Sequence, residues 1–322
     1  MNRTLESSAR NCRSVCLRCI PLFFLAGLLH AADNPAPPGA LVDAGGYRVH
    51  LYCTGSGSPT VVVAGGGFSF DWGLIQPNIS ILTRICTYDP SGTAWSDPFP
   101  AQRTPACVDR VTELHEVLQR ASVSGPIILV GYSIGGLYAR LYALRYPEEV
   151  AGVVIVDHAF SEPAAAPQTH QASVHTPPAD GVFSVEDVDT PPSLISRTPI
   201  KLDIEDDRNF QRLPKHDQDL HAWAMSGNPL RPNGETLAEC TTAVEKAEKP
   251  DPLGAKPLLV ISTNNDSPAY QQLQTRLLHL SRDSKHRIAE HSTHMVLVDD
   301  PEVIVTAIED VVQSIRHHAP LN

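Results

Sequence analysis

The stretch Leu129-Val130-Gly131-Tyr132-Ser133-Ile134-Gly135-Gly136 (LVGYSIGG) sets one serine between glycines at the end of an apolar run. Pro126 to Val130 reads as a buried strand and the residues after the serine as a helix, so Gly131, Ser133 and Gly135 satisfy G-x-S-x-G in the strand-to-helix context that gives this short pattern meaning. The turn is tight enough that side chains at the flanking positions would meet the strand or the helix, which calls for glycine. The Ser133 hydroxyl is then expected to project from the C-terminal edge of a sheet, the place of a catalytic nucleophile.

Working outward, Tyr47 to Cys53 alternates like a half-buried strand. Thr60 to Ala64 is a continuous apolar strand, and similar runs follow at Arg84 to Tyr88, Gly152 to Val156 and Pro257 to Ile261. Continuous runs suit parallel strands covered on both faces. Between them, Val108, Val111, Leu114, Val117 and Leu118 recur at helical spacing, as do Val303, Ile304, Ala307, Ile308, Val311 and Ile315. Strand and helix alternate, so the fold class is α/β with a mostly parallel sheet. The interval 158–252 breaks the rhythm: it is rich in proline, contains no apolar strand run, and has short helical pieces around Asp206 to Met225 and Glu235 to Glu248. It is expected to be a lid inserted between the sixth and seventh strands of a core formed by 33–157 and 253–322.

The 322-residue chain carries a formal net charge of −11. No basic run lies beyond the scattered N-terminal arginines, which gives a polyanion no electrostatic footing, so nucleic acid is not an expected partner. Arg3, Arg10, Arg13 and Arg18 precede the apolar run Ile20 to Leu29, and small residues follow at Ala31 and Ala32. That order is a secretory signal peptide over 1–32, with an uncleaved anchor as the alternative. The run is short for a bilayer span, which needs ~20 residues, so no stable span is expected after cleavage. The expected product is an acidic exported protein, periplasmic or extracellular, whose oligomeric state the sequence leaves open. Cys53, Cys86, Cys107 and Cys240 remain outside the leader, an even number compatible with two disulfides or with buried thiols. No cofactor or metal is called for.

A serine needs a base and a group to orient that base. His294, in Ser292-Thr293-His294-Met295 after the strand-like Arg287 to Glu290, is the expected base, with His291 the local competitor. The acid is open between two residues that both precede the histidine in chain order: Asp266, just beyond the strand Leu258 to Thr263, which is preferred, and Asp157, which ends the strand before it. Oxyanion donors are expected from the backbone of Gly66 and Gly67 in Ala64-Gly65-Gly66-Gly67-Phe68 and of Ile134, the residue after the serine. No G-K-[ST] or spaced GxGxxG follows that glycine loop, which argues against a phosphate cradle.

Together with AGGGFSFDW at 64–72, YDPSGTAWSDP at 88–98 and VIVD at 154–157, the elbow resembles the α/β-hydrolase superfamily, most closely its bacterial lipase/esterase-like branch. The chain departs from the usual pattern at Ala64-Gly65, at Asp89-Pro90-Ser91-Gly92 and at Tyr132. The resemblance implies an α/β-hydrolase fold, a small-molecule ester substrate and an acyl-enzyme on Ser133. It also makes the strands bearing Cys53 and Cys86 neighbours, which implies a disulfide between them; Cys107 and Cys240 are left as a second pair bridging core to lid. Lactonase, thioesterase, aminopeptidase and carbon–carbon hydrolase activities use the same machinery, and a non-catalytic binding protein of this fold is the alternative of a different class.

Overall fold

The computed structural model describes residues 34–100, 105–158, 210–227, 237–264 and 267–321. By its contacts the chain divides into Met1–Ala36 and Pro37–Asn322, and all that follows concerns the second unit. The expected signal peptide, and residues 159–209 and 228–236 of the expected lid, lie outside the described residues.

Eight described strands form one sheet: β1 (Ala40–Asp43), β2 (Arg48–Thr54), β3 (Thr60–Val63), β4 (Ile85–Asp89), β5 (Ile127–Tyr132), β6 (Val150–Val156), β7 (Leu258–Thr263) and β8 (Ser284–Ala289). Their order is β1-β2-β4-β3-β5-β6-β7-β8. β2 runs antiparallel to β1 and to β4, and the other pairs are parallel. Among the described residues eight α-helices accompany them: α1 (Gln76–Leu82), α2 (Cys107–Arg120), α3 (Gly135–Arg145), α4 (Lys215–Gly227), α5 (Leu237–Ala247), α6 (Pro268–Arg276), α7 (Val296–Asp299) and α8 (Pro301–His317). In chain order α4 and α5 fall between β6 and β7. Among the described residues, no helix is long and apolar enough to cross a membrane.

The unbroken apolar runs of the sequence follow from burial on both faces. Val62, Leu129, Val153, Ile155, Leu258 and Val260 pack with α2, α3 and α5. Their chain neighbours Val61, Val63, Ile128, Val130, Val154, Leu259 and Ile261 pack on the other face with α1, α7 and α8. The side-chain period of two thus sends alternate residues of each central strand into different cores, which is why these strands read as continuous apolar runs. The first strand of the eight, β1, had no residues assigned to it from the sequence. It is a four-residue edge strand with partly exposed side chains, too short to carry a periodic signal.

Cys53 on β2 stands directly opposite Cys86 on β4 in the antiparallel ladder, with Cα atoms 4.0 Å apart, and their sulfurs are joined. Cys107, the first residue of α2, is joined to Cys240 on α5. Peptide mapping of unreduced protein is expected to recover 53 linked to 86 and 107 linked to 240. For the Cys53–Cys86 bridge, which spans 33 residues, reduction is expected to lower stability by about 3–4 kcal/mol in chain-entropy terms, measurable as a lower denaturant midpoint. Recovery of all four as alkylatable thiols would exclude both bridges.

Candidate active site

β5 ends at Tyr132, α3 begins at Gly135, and Ser133 turns the chain between them with φ +53°. This left-handed conformation is costly for a residue with a Cβ, so surrounding contacts must impose it. Two backbone bonds do so: Tyr132 N–H donates to Gly65 O at 3.3 Å and Ser133 N–H to Val156 O at 3.0 Å. The crowding is extreme. A Cβ on Gly131 would lie 2.2 Å from Gly135 O, and one on Gly135 would lie 2.1 Å from Gly65 O. Only hydrogen fits at either position, which is the steric reason for the G-x-S-x-G pattern.

His294 lies in the loop between β8 and α7, its Nε2 3.0 Å from Ser133 Oγ. Its Nδ1 is 2.5 Å from Asp157 Oδ2. A carboxylate only accepts, so Nδ1 carries the proton and Nε2 is left to accept from the serine. The loop is fixed by Thr293, whose N–H and hydroxyl both donate to Asp299 Oδ2, at 2.9 and 2.7 Å. Tyr132 adds a second restraint. Its hydroxyl donates to the carbonyl of His294 at 2.7 Å, and its ring stacks on the imidazole with centroids 5.1 Å apart.

Asp157 immediately follows β6, is buried, and adopts φ +41°. Its other carboxylate oxygen accepts from the Tyr270 hydroxyl at the start of α6 and, at 3.3 Å, from the Thr263 hydroxyl at the end of β7. Burial, and then the bond to Asp157, push the Tyr270 phenol up to about 12, so it donates throughout the neutral range. Asp266, the acid preferred from sequence, lies outside the described residues. The carboxylate on His294 Nδ1 is that of Asp157, the sequence alternative. The exposed competitor His291 lies elsewhere in the same loop, and His294 is the histidine at Ser133.

Gly66 and Gly67, with φ +92° and +86°, run past the elbow so closely that a Cβ on Gly66 would sit 2.0 Å from Tyr132 O. Among the described residues the backbone N–H groups of Gly66, Gly67 and Ile134 meet no acceptor. The loop is held from behind by Asp89, the end of β4, which accepts from Ser69 N–H at 2.8 Å and the Ser69 hydroxyl at 2.9 Å. The buried His50 donates to the same carboxylate at 2.7 Å. No cluster of histidine, cysteine and carboxylate side chains suited to a metal ion occurs among the described residues.

Sequence reading missed the supports: Tyr270, Thr263 and His158. His158 follows Asp157 and is fully buried, the backbone of Ser133 lies against its ring, and its Nε2 accepts from Arg140 Nη1 at 3.2 Å. A Cβ on Gly136 would come within 2.5 Å of its Nδ1, so the imidazole packs directly under the start of α3. Its only signal in the sequence was its adjacency to a candidate acid.

A sequence profile described as "alpha/beta hydrolase fold" matches residues 61–301. An uncharacterized protein of Schizosaccharomyces pombe is 36% identical over 141 residues, which cover 34% of this chain and 26% of that protein. The chain therefore spans about a quarter of that relative. The 2-hydroxymuconate semialdehyde hydrolase of Pseudomonas sp. (strain CF600) is 28% identical over 137 residues, 41% of this chain and 47% of the enzyme. Among solved structures, a thermophilic esterase from Thermogutta terrifontis superposes with a TM-score of 0.56 over 84% of this chain and 94% of its own, at 15% identity, a likeness of fold.

Burial, with the Arg140 guanidinium second, depresses the His158 imidazole from 6.5 to about 3. The unfolded chain therefore takes up a proton at this residue near 6.5 that the folded chain refuses until about 3. The contribution to stability is complete above 6.5 and is lost as pH falls through that interval. Urea midpoints are expected to drop between pH 7 and pH 4.5, and to drop less in His158→Gln. Equal losses in the two proteins would remove His158 from the account.

Proposed function

The chain belongs to the α/β-hydrolase fold family, and on that premise we propose that it is a serine hydrolase of carboxylic esters. The single observation that carries the reading is the hydrogen-bonded series from Ser133 Oγ to His294 Nε2 at 3.0 Å and from His294 Nδ1 to Asp157 Oδ2 at 2.5 Å. Ser133 Oγ attacks the ester carbonyl carbon while His294 Nε2 takes its proton. Negative charge that develops on the carbonyl oxygen is held by the N–H of Ile134 and of Gly66 or Gly67, donors worth about 3 kcal/mol each where water is excluded. His294 then delivers its proton to the departing alkoxide as the C–O bond breaks, leaving an acyl-serine. Water, deprotonated by the same imidazole, attacks the acyl carbon and frees the acid and Ser133.

Asp157 orients the ring and stabilises its protonated form, and Tyr270 and Thr263 hold the carboxylate in turn. The two joined cysteine pairs and the leader-like residues 1–32 support action in an oxidising compartment after export. The likeness to 2-hydroxymuconate semialdehyde hydrolase favours a second reading, in which the same residues hydrolyse a semialdehyde of that kind.

A fluorophosphonate probe is expected to label the purified chain at Ser133, and Ser133→Ala to abolish both labelling and turnover of short-chain esters. Asp157→Asn should lower kcat by about 10⁴-fold, because the amide fixes the wrong imidazole tautomer. Asp266→Asn should leave kcat within a few-fold. The reverse ranking would pass the acid's role to Asp266, and an unlabelled, inert wild type would leave a binding protein with the fold alone.

A further inference from the structure

The oxyanion loop has an unusual mechanical problem. Gly65, Gly66 and Gly67 take φ values of +125°, +92° and +86° in succession. Three consecutive glycines have little conformational preference of their own, yet donors to a developing charge act only if their direction is set beforehand. The restraint on the far side of the loop is Asp71, whose Oδ2 accepts from Phe68 N–H at 2.7 Å. That oxygen is so close to the loop that a Cβ on Gly67 would stand 2.8 Å from it.

The other oxygen of Asp71 is held from a different part of the chain. His221, on α4 in the segment between β6 and β7, directs Nδ1 at Asp71 Oδ1 from 2.7 Å. Since the carboxylate accepts, His221 donates. Both side chains are buried, and the imidazole is wedged among aromatic rings. It stacks on Phe210 with centroids 3.9 Å apart and meets Phe68 and Phe70 edge on, at 5.6 and 6.3 Å. Leu220 and Ala224, on the same side of α4, are buried with Phe68 and Phe70. The helix therefore reaches the oxyanion loop through a polar contact, His221 to Asp71, embedded in an apolar seat, and the loop's own carboxylate transmits it to Phe68 N–H.

We propose that His221 is a positioning residue for catalysis: through Asp71 it sets the direction of the Gly66 and Gly67 N–H groups, so that the helix between β6 and β7 acts on the chemical step. This rests on the serine-hydrolase reading above.

The test uses the full chain and a short-chain p-nitrophenyl ester. His221→Phe keeps a ring for Phe210 and removes the donor. It is expected to lower kcat by about 10–100-fold, less than outright loss of an oxyanion donor, with KM within about 3-fold. Affinity for an alkyl boronic acid, whose adduct on Ser133 places a negative oxygen among the same N–H groups, should fall by the same factor as kcat. His221→Asn sets an amide N–H near the position of Nδ1 and should hold kcat within about 3-fold of wild type. His221→Gln, whose amide lies nearer the position of Nε2, should behave like His221→Phe; the Asn and Gln pair carries the comparison if the Phe variant does not fold. A change confined to KM, undiminished boronate affinity, or Asn and Gln variants of equal kcat would overturn the proposal. A wild type that neither turns over the ester nor reacts with a fluorophosphonate would instead bring down the serine reading and this inference with it.

Discussion

Everything at this site depends on how closely two backbones approach each other without side chains between them. The elbow after β5 and the loop after β3 come together so tightly that a methyl group at Gly135 would fall 2.1 Å from Gly65 O, and one at Gly66 would fall 2.0 Å from Tyr132 O. Each segment excludes a Cβ from the other. That mutual exclusion brings the serine oxygen and the N–H groups of the glycine loop to the same edge of the sheet. It also holds Ser133 in a left-handed conformation that an isolated turn would relax.

The parallel sheet supplies the rest by putting strand ends side by side. β5, β6 and β7 are consecutive neighbours, and Ser133, Asp157 and Thr263 all lie at their C-terminal ends. Asp157 N–H is bonded to Ile261 O at 2.7 Å, so this residue is fixed to β7 before its side chain makes any contact. The carboxylate then divides its oxygens, one to His294 and one to Tyr270 and Thr263. A buried carboxylate with both oxygens satisfied is held in place rather than merely near the imidazole. His158 does comparable work under the serine, kept neutral by burial so that no charge competes with the site.

The glycine loop after β3 is served by two carboxylate–imidazole pairs, Asp89 with His50 and Asp71 with His221. The first belongs wholly to the sheet core. The second joins the core to α4, so the segment that follows β6 is coupled to the loop as well as to the apolar cluster around Phe68 and Phe70. The Cys107–Cys240 bridge anchors α5 of the same segment to the start of α2. Two chemically different ties thus attach the helices between β6 and β7 to the core.

The amino-acid sequence by itself determined the elements whose physics is local. Alternate burial in two cores requires continuous apolar strands, helical faces require spacing of three and four, and a turn with no room for Cβ requires glycine on both sides of Ser133. Those constraints are written within a few residues, so the α/β class, the elbow, the glycine loop and His294 were legible. The Cys53–Cys86 pairing became legible once the strand order was supplied by resemblance. Tertiary structure alone decided what depends on registry between distant segments. Asp157 and Asp266 both follow strands that are neighbours in the sheet, and no pattern along the chain says which carboxylate meets the imidazole. The Tyr270 hydroxyl on Asp157 and the His221 ring on Asp71 join residues 113 and 150 positions apart. Such contacts leave no periodic trace, because each is a single meeting of two side chains whose positions are set by the packing of everything between them.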